Sequence, residues 1–248
     1  RLTLLDKRFE AVNMGQGGYG IDQSYLWYLR DGKKLDHHIH LFAFIEDGIT
    51  RMGRRSLFGY PKPVLNLDGN TVSVENIPVP ESAYYTHWLT RSMNAVNKLR
   101  SVKFIREIKR KMFSKAPSNH VSKNVNNRDF DLILKLFENL NVENKNRQSA
   151  FIVVLLPTRA SYTAPNETGI FLRRELAKRG IVFFDLTEEF RNIPERQLDG
   201  MFITEDALPY KFAAGHYSVD GNKYIAGQIH RKLSAHVKID KLSHTQEN

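Results

Sequence analysis

The sequence predicts an α/β fold built on a parallel sheet, and three observations predict it. Residues 39–45 (IHLFAFI), 150–156 (AFIVVLL) and 181–186 (IVFFDL) are apolar runs of strand length. They run without alternation, which is the pattern of strands buried on both faces. Segments of helical periodicity separate them and close the chain. At 41% hydrophobic and 26% charged residues the composition is that of a globular protein, which excludes a disordered or fibrous chain.

In chain order, residues 9–14 (FEAVNM) read as a short first strand that runs into Gly15, Gly17, Gly18 and Gly20. Residues 21–30 read as a helix with Ile21, Tyr25, Leu26 and Leu29 on one side. Asp22 sits in its first turn, where the helix dipole favours a negative charge. The strand over 39–45 follows. Residues 60–80 alternate around Asp68-Gly69-Asn70, as a hairpin or an extended excursion does. Residues 81–113 are mostly helix-forming, and 114–127 are polar with no apolar period, expected to be a mobile loop. A helix over 129–140 leads to the strand 150–156, which Pro157 stops. The helix over 168–179 closes on Gly180, the strand 181–186 follows, and residues 218–236 form a terminal helix with Ser218 as N-cap. No apolar run approaches the length of a membrane span. The chain starts at Arg1 inside a helical stretch and reads as a piece of a longer protein, whose export or membrane anchoring would be decided ahead of that residue.

Charge and cysteine content narrow the chemistry. There is no cysteine, which removes disulfides, thiolate metal sites and a cysteine nucleophile. The formal net charge is +10, and it is concentrated. Between Ala95 and Val125, nine basic residues (Lys98, Arg100, Lys103, Arg106, Lys109, Arg110, Lys111, Lys115 and Lys123) face Glu107 alone. An excess that local is not the habit of a protein that coats nucleic acid, and no nucleic-acid partner is expected. The segment is also amphipathic, through Val96, Leu99, Val102, Phe104, Ile105, Ile108 and Phe113. It reads as a solvated helix packed on the domain or as a contact for an anionic surface, lipid or polysaccharide, made by Lys98, Arg106, Lys109, Arg110 and Lys111.

In a parallel sheet the ligand crevice lies beyond the carboxyl ends of the strands, so two loops stand out. Asn13-Met14-Gly15-Gln16-Gly17-Gly18-Tyr19-Gly20 runs from the first strand into a helix. Its glycines can turn backbone N–H groups toward a phosphate or an oxyanion, or can serve only a tight turn. The spacing is not that of a dinucleotide fingerprint. The second loop, Ala213-Ala214-Gly215-His216-Tyr217-Ser218, sets a histidine at the entrance of the terminal helix, as a general base or as a surface group. His37 and His40 straddle a strand start, and alternation would send their rings to opposite faces, so no zinc site is expected there. No metal or cofactor is expected elsewhere.

Taken together, Asn13-x-Gly15-x-x-Gly18-Tyr19-Gly20-x-x-Gln23, Phe44-Ile45-Glu46-Asp47 and Gly215-His216-Tyr217-Ser218-x-x-Gly221-Asn222 resemble successive blocks of the GDSL-type esterases, the SGNH hydrolase superfamily. The resemblance spans residues 9–233. It implies one domain over 1–248, a three-layer α/β/α sandwich with a parallel, flavodoxin-like sheet, and a divergent insertion at 56–146. It implies a serine hydrolase or acyltransferase acting on esters, such as O-acyl groups of carbohydrate or lipid, without a cofactor. His216 matches the general base and the Gly18 N–H the oxyanion hole, with Asn13, Gly15, Glu46 and Asp47 lining the substrate side.

Three departures from the pattern are visible. No Gly-Asp-Ser occurs in the chain, so the nucleophile and its strand are expected ahead of Arg1. Glu46-Asp47 stands where the family has an oxyanion asparagine, and an ionised carboxylate cannot donate to an oxyanion. Either the donor comes from elsewhere or the acidic pair meets Arg51 or Arg54. Ala213 stands where the family has the aspartate that orients the histidine. Asp206 or Glu205 takes that role through a folded-back loop, or the enzyme works with a Ser–His dyad. The alternative is a catalytically silent domain of the same fold that binds acidic glycan or membrane through its basic segment.

Overall fold

The structure is a computed structural model that describes residues 1–57, 59–80, 127–204, 207 and 213–236. The basic window, the helix expected over 81–113, residues 114–126 of the loop expected over 114–127, and Glu205 and Asp206 lie outside these residues. The chain divides into two compact units, one of residues 1–49 and 133–248 and one of residues 50–132. In chain order the elements are α1 (Leu2–Leu5), α2 (Ile21–Arg30), β1 (Ile39–Phe44), α3 (Asp47–Thr50), β2 (Ser56–Leu57), β3 (Tyr60–Pro61), β4 (Val64–Asp68), β5 (Thr71–Glu75), α4 (Asn127–Asn146), β6 (Ala150–Leu155), α5 (Glu167–Lys178), β7 (Val182–Asp185), α6 (Thr187–Arg191), α7 (Glu195–Leu198) and α8 (Val219–His236).

The three apolar runs form one parallel sheet in the order β1-β6-β7, with Ile39 opposite Ala150 and Ile152 opposite Val182. Phe151, Ile152, Val153, Val154 and Leu155 of the central strand are all buried. Alternation divides their side chains between two helical coverings. Ile152 and Val154, with Phe184, meet Ile225, Ile229 and Leu233 of α8, and Leu2, Phe9, Ile39 and Leu41 extend that cluster. On the other face Phe42 and Phe44 lie 5.3 and 5.9 Å from the Phe137 ring of α4, and Phe151 lies 6.3 Å from it. The chain is therefore a mixed α/β protein with a parallel sheet flanked by helices.

Residues 10–14 form no strand, contrary to expectation; nothing from 9 to 16 joins a sheet. Phe9 spends its side chain on the α8 face, edge-on to His230 at 6.0 Å. A strand exists only through a partner's hydrogen bonds, and none is offered here. One edge of the parallel sheet is that of β1. His38 and Phe44 carbonyls accept from the Ala150 and Leu156 N–H groups, each at 2.8 Å, so the even-numbered residues of β1 face β6. The backbone groups of Ile39, Leu41 and Ala43 point the opposite way and meet no backbone partner among the described residues.

Local signals set the element ends. At the end of α5 the Gly180 N–H donates to Ala177 O (3.1 Å) and the Ile181 N–H to Leu176 O (3.0 Å), with Gly180 at φ +61°. This reciprocal pair needs a left-handed residue at that position. Ser218 Oγ accepts from the Gly221 N–H at 3.0 Å, which caps α8.

In the unit of residues 50–132, β4 and β5 pair antiparallel around the two-residue loop Gly69-Asn70. Gly69 at φ +59° gives the turn the hand that matches strand twist. The short β2 and β3 pair beside it in sequence. Asn76 Nδ2 donates to the Lys62 carbonyl at 2.7 Å, and the Lys62 side chain is buried with its Nζ on Pro63 O.

At the amino edge of the three-stranded sheet lies a polar chain that the sequence did not announce. Tyr28 OH donates to Asn144 Oδ1 (3.0 Å), so at 3.1 Å it must accept from His37 Nε2, and His37 Nδ1 then accepts from Ser149 Oγ (2.8 Å). Asn144 Nδ2 donates to His40 Nδ1 (3.1 Å) and to Leu140 O (2.7 Å). Tyr28 stacks on His40 at 3.9 Å, and the two imidazoles are 5.9 Å apart. The expectation that these rings part to opposite faces fails because His37 precedes β1 and is free of strand alternation. Burial, with His37 nearby, pushes the His40 pKa down to about 3, and burial with Arg147 lowers that of His37.

The unfolded chain therefore binds a proton at His40 that the native state refuses. The resulting stability is complete above about pH 6.5 and is lost as pH falls from there toward 3. Urea unfolding at about pH 7.5 and 4.5 checks this: wild type should lose roughly 2–3 kcal/mol more over that interval than His40→Gln. Equal losses would contradict it.

Candidate functional site

Of the expected site residues, Glu46 and Asp47 follow the carboxyl end of β1, and His216 neighbours Tyr217, which is bonded to Pro157 just past β6. The ladder continues past the strand ends, with the Leu156 N–H on Phe44 O at 2.8 Å and the Leu186 N–H on Leu155 O at 3.1 Å. Beyond β1, Glu46 is half-buried and Asp47 exposed. Gly48 follows, and a methyl group added to it would touch Ile21 Cγ1 at 3.7 Å and Phe44 Cβ at 3.9 Å. The first residue of α2 thus packs against the loop that carries Glu46 and Asp47.

The glycine-rich loop leads into that residue. Asn13 Oδ1 accepts from the Gly15 N–H at 2.8 Å, which commits both groups to a local turn. The Tyr19 N–H on Gln16 O (3.3 Å) closes a second turn, with Gly18 at φ +84° in its third position. That φ favours glycine. The Gly18 N–H has no acceptor among the described residues.

His216 is held from the other side. Residues 201–203 and 215–218 pair antiparallel: Ile203 N–H to His216 O (2.8 Å), Gly215 N–H to Ile203 O (2.9 Å) and Ser218 N–H to Met201 O (2.9 Å). Tyr217 stacks on Phe202 at 5.5 Å, and its hydroxyl donates to the Pro157 carbonyl just past β6. Burial raises the pKa of that hydroxyl far above its ordinary value, so it stays a donor. The His216 ring is exposed, and its Nδ1 lies 3.1 Å from the Ala213 carbonyl. Gly221 is required by close approach, since a Cβ there would stand 2.1 Å from Met201 O.

These contacts run without a break from Ile21 through Gly48 and Phe44 to Leu156, Pro157 and Tyr217. They put the start of α2, the Glu46–Asp47 segment and Tyr217, the neighbour of His216, at one edge of the sheet, whereas Met14, between Asn13 and Gly15, has its Sδ 3.3 Å from where a Cβ on Gly32 would stand, beyond the far end of α2. Asp206, the expected third member, lies outside the described residues. No three His, Asp or Glu side chains among the described residues gather as a metal site.

Sequence reasoning missed Asp185, at the carboxyl end of β7. Its buried carboxylate accepts from the Thr187 N–H (3.0 Å), Thr187 Oγ1 (2.6 Å), Asn166 Nδ2 (2.7 Å) and Arg173 (3.2 Å). Four donors occupy its lone pairs, so it acts as a clamp between β7 and the start of α5. Gly169 is the signal that could have exposed it: a Cβ there would lie 2.3 Å from both Asn166 Oδ1 and Asp185 Oδ2.

None of the protein families, curated proteins or solved structures compared with the chain matches it.

Because Gly221 sits against backbone, which cannot step aside as a side chain can, Gly221→Ala should pull the 201–203 pairing away from the head of α8. A loss of about 1–3 kcal/mol is expected, read as a fall in Tm of roughly 2–4 °C per kcal/mol. An unchanged Tm would contradict the packing described.

Proposed function

We propose that the chain is the greater part of an SGNH-type ester hydrolase or O-acyltransferase, with a flavodoxin-like α/β/α sandwich, in which His216 is the general base. The observation that carries the reading is the exposed His216, held beyond the carboxyl end of β6 by the bond of its neighbour Tyr217 to Pro157, at the edge of the parallel sheet where α2, entered from the Gly18 turn, begins. Two other features support it. The Gly18 N–H is unclaimed, as an oxyanion donor must be before substrate arrives. The outer edge of β1 has no backbone partner among the described residues, which leaves room for the strand that the reading puts ahead of Arg1 and that bears the nucleophilic serine.

On this reading the serine Oγ attacks the ester carbonyl carbon while His216 Nε2 takes its proton. The carbonyl oxygen becomes an oxyanion and accepts from the Gly18 N–H. As the tetrahedral intermediate collapses, His216 returns the proton to the departing alcohol and an acyl-enzyme remains. Water or a sugar hydroxyl, activated by the same histidine, then removes the acyl group. Glu46 cannot supply the amide donor of the family pattern while ionised. Loss of one such donor typically costs about 10²–10³-fold, so a slow enzyme is expected.

Glu46 also favours a second reading, because its charge beside the crevice opposes an oxyanion. In that reading the domain is catalytically silent and binds acidic glycan or an anionic membrane through Lys98, Arg106, Lys109, Arg110 and Lys111. The natural full-length protein separates the two. As an enzyme it should be labelled by a fluorophosphonate probe and hydrolyse p-nitrophenyl acetate, with kcat/KM falling about 10²–10⁴-fold in His216→Ala at unchanged Tm. Neither labelling nor turnover, or equal activity in His216→Ala, would sink the hydrolase reading.

A further inference from the structure

We infer that the main-chain carbonyl of Ala213 is the positioning group for His216, standing in for the carboxylate of a triad. The inference rests on His216 being the general base, and it specifies how the ring is held. Ala213 is where the resembled pattern puts an orienting aspartate, and its methyl side chain accepts nothing. Its carbonyl does. That oxygen lies 3.1 Å from the His216 backbone nitrogen and 3.1 Å from Nδ1 of the ring.

The first of these bonds closes the turn Ala213-Ala214-Gly215-His216, with Gly215 at φ +82°. This is the third-position geometry that a type II turn requires. The same turn is pinned on its far side by Gly215 N–H to Ile203 O and by Ile203 N–H to His216 O. The carbonyl is thus fixed in place before the ring reaches it.

A carbonyl oxygen only accepts, so the bond to Nδ1 requires Nδ1 to carry the hydrogen. The neutral ring is then an Nδ1–H tautomer whose Nε2 lone pair is free to take a proton. A histidine side chain free in water prefers the opposite tautomer, so the turn reverses the default in favour of the form a general base needs. A neutral carbonyl fixes tautomer and orientation as a triad aspartate does, but adds no negative charge to stabilise the imidazolium. His216 is accordingly the protonatable half of a dyad.

The test is the nitrogen spectrum of neutral His216 in the natural full-length protein, uniformly ¹⁵N-labelled, without substrate, at about pH 8. Its signals are assigned by their loss in His216→Gln. The expected result is a pyrrole-type Nδ1 and a pyridine-type Nε2, preserved in Asp206→Asn. An Nε2–H ring, or two nitrogens averaged to one intermediate position, overturns the inference. So does loss of the Nδ1–H form in Asp206→Asn, which would assign the orientation to Asp206. The spectrum needs no turnover, so an inactive protein with an Nδ1–H ring fails the hydrolase reading alone, and an active one with an Nε2–H ring fails this inference alone.

Discussion

Parallel pairing of β6 with β1 on one side and β7 on the other sets where every described element of the larger unit can go. Both faces of β6 are buried, so each neighbouring segment has to present an apolar side to it: α8 above Ile152 and Val154, and the Phe137 side of α4 below Phe151. Because the strands run the same way, all three carboxyl ends arrive at one edge. Backbone that leaves that edge turns out into loops, and loops on a rigid edge are where side chains can be exposed and still held.

The two edges treat polar groups differently. At the amino edge every member of the chain from Ser149 through His37, Tyr28 and Asn144 to His40 has a partner, and burial keeps the histidines neutral. Such a saturated network rigidifies the ends of α2 and α4 against the sheet and offers no group to a ligand. At the carboxyl edge Asp185 is likewise saturated. The His216 ring there is exposed and is held only through its Nδ1 side, by the Ala213 carbonyl, among the described residues. On the proposed reading, that contrast makes the carboxyl edge the working end.

What could be read from the sequence was whatever depends on a few neighbouring residues. The helix Ile21–Arg30, the Gly180 stop and the Ser218 cap are local, and each stands where it was expected. The three buried strands were legible from uninterrupted apolar runs. The strand over residues 10–14 was misread because apolar content makes a segment able to pair, while pairing itself depends on a distant edge. The His37–His40 contact was hidden because His37 lies ahead of β1, where the alternation that would part the two rings does not reach. The role of Ala213 could not be read from a side-chain alphabet at all, since the group concerned is its backbone oxygen. For Glu46 the sequence displayed the departure from the resembled pattern, and the structure adds that the side chain is half-buried at the same edge.

The central claim is that the Gly18 turn and His216 serve one reacting centre. A crystal structure of the natural full-length protein after reaction with an organophosphonate tests it most directly. The account predicts a phosphonyl oxygen within hydrogen-bond distance of the Gly18 N–H, about 2.7–3.1 Å, with His216 Nε2 facing the serine oxygen. An adduct away from the carboxyl edge, or a His216 ring more than roughly 15 Å from the Gly18 nitrogen, too far to share one carbonyl carbon, would contradict it.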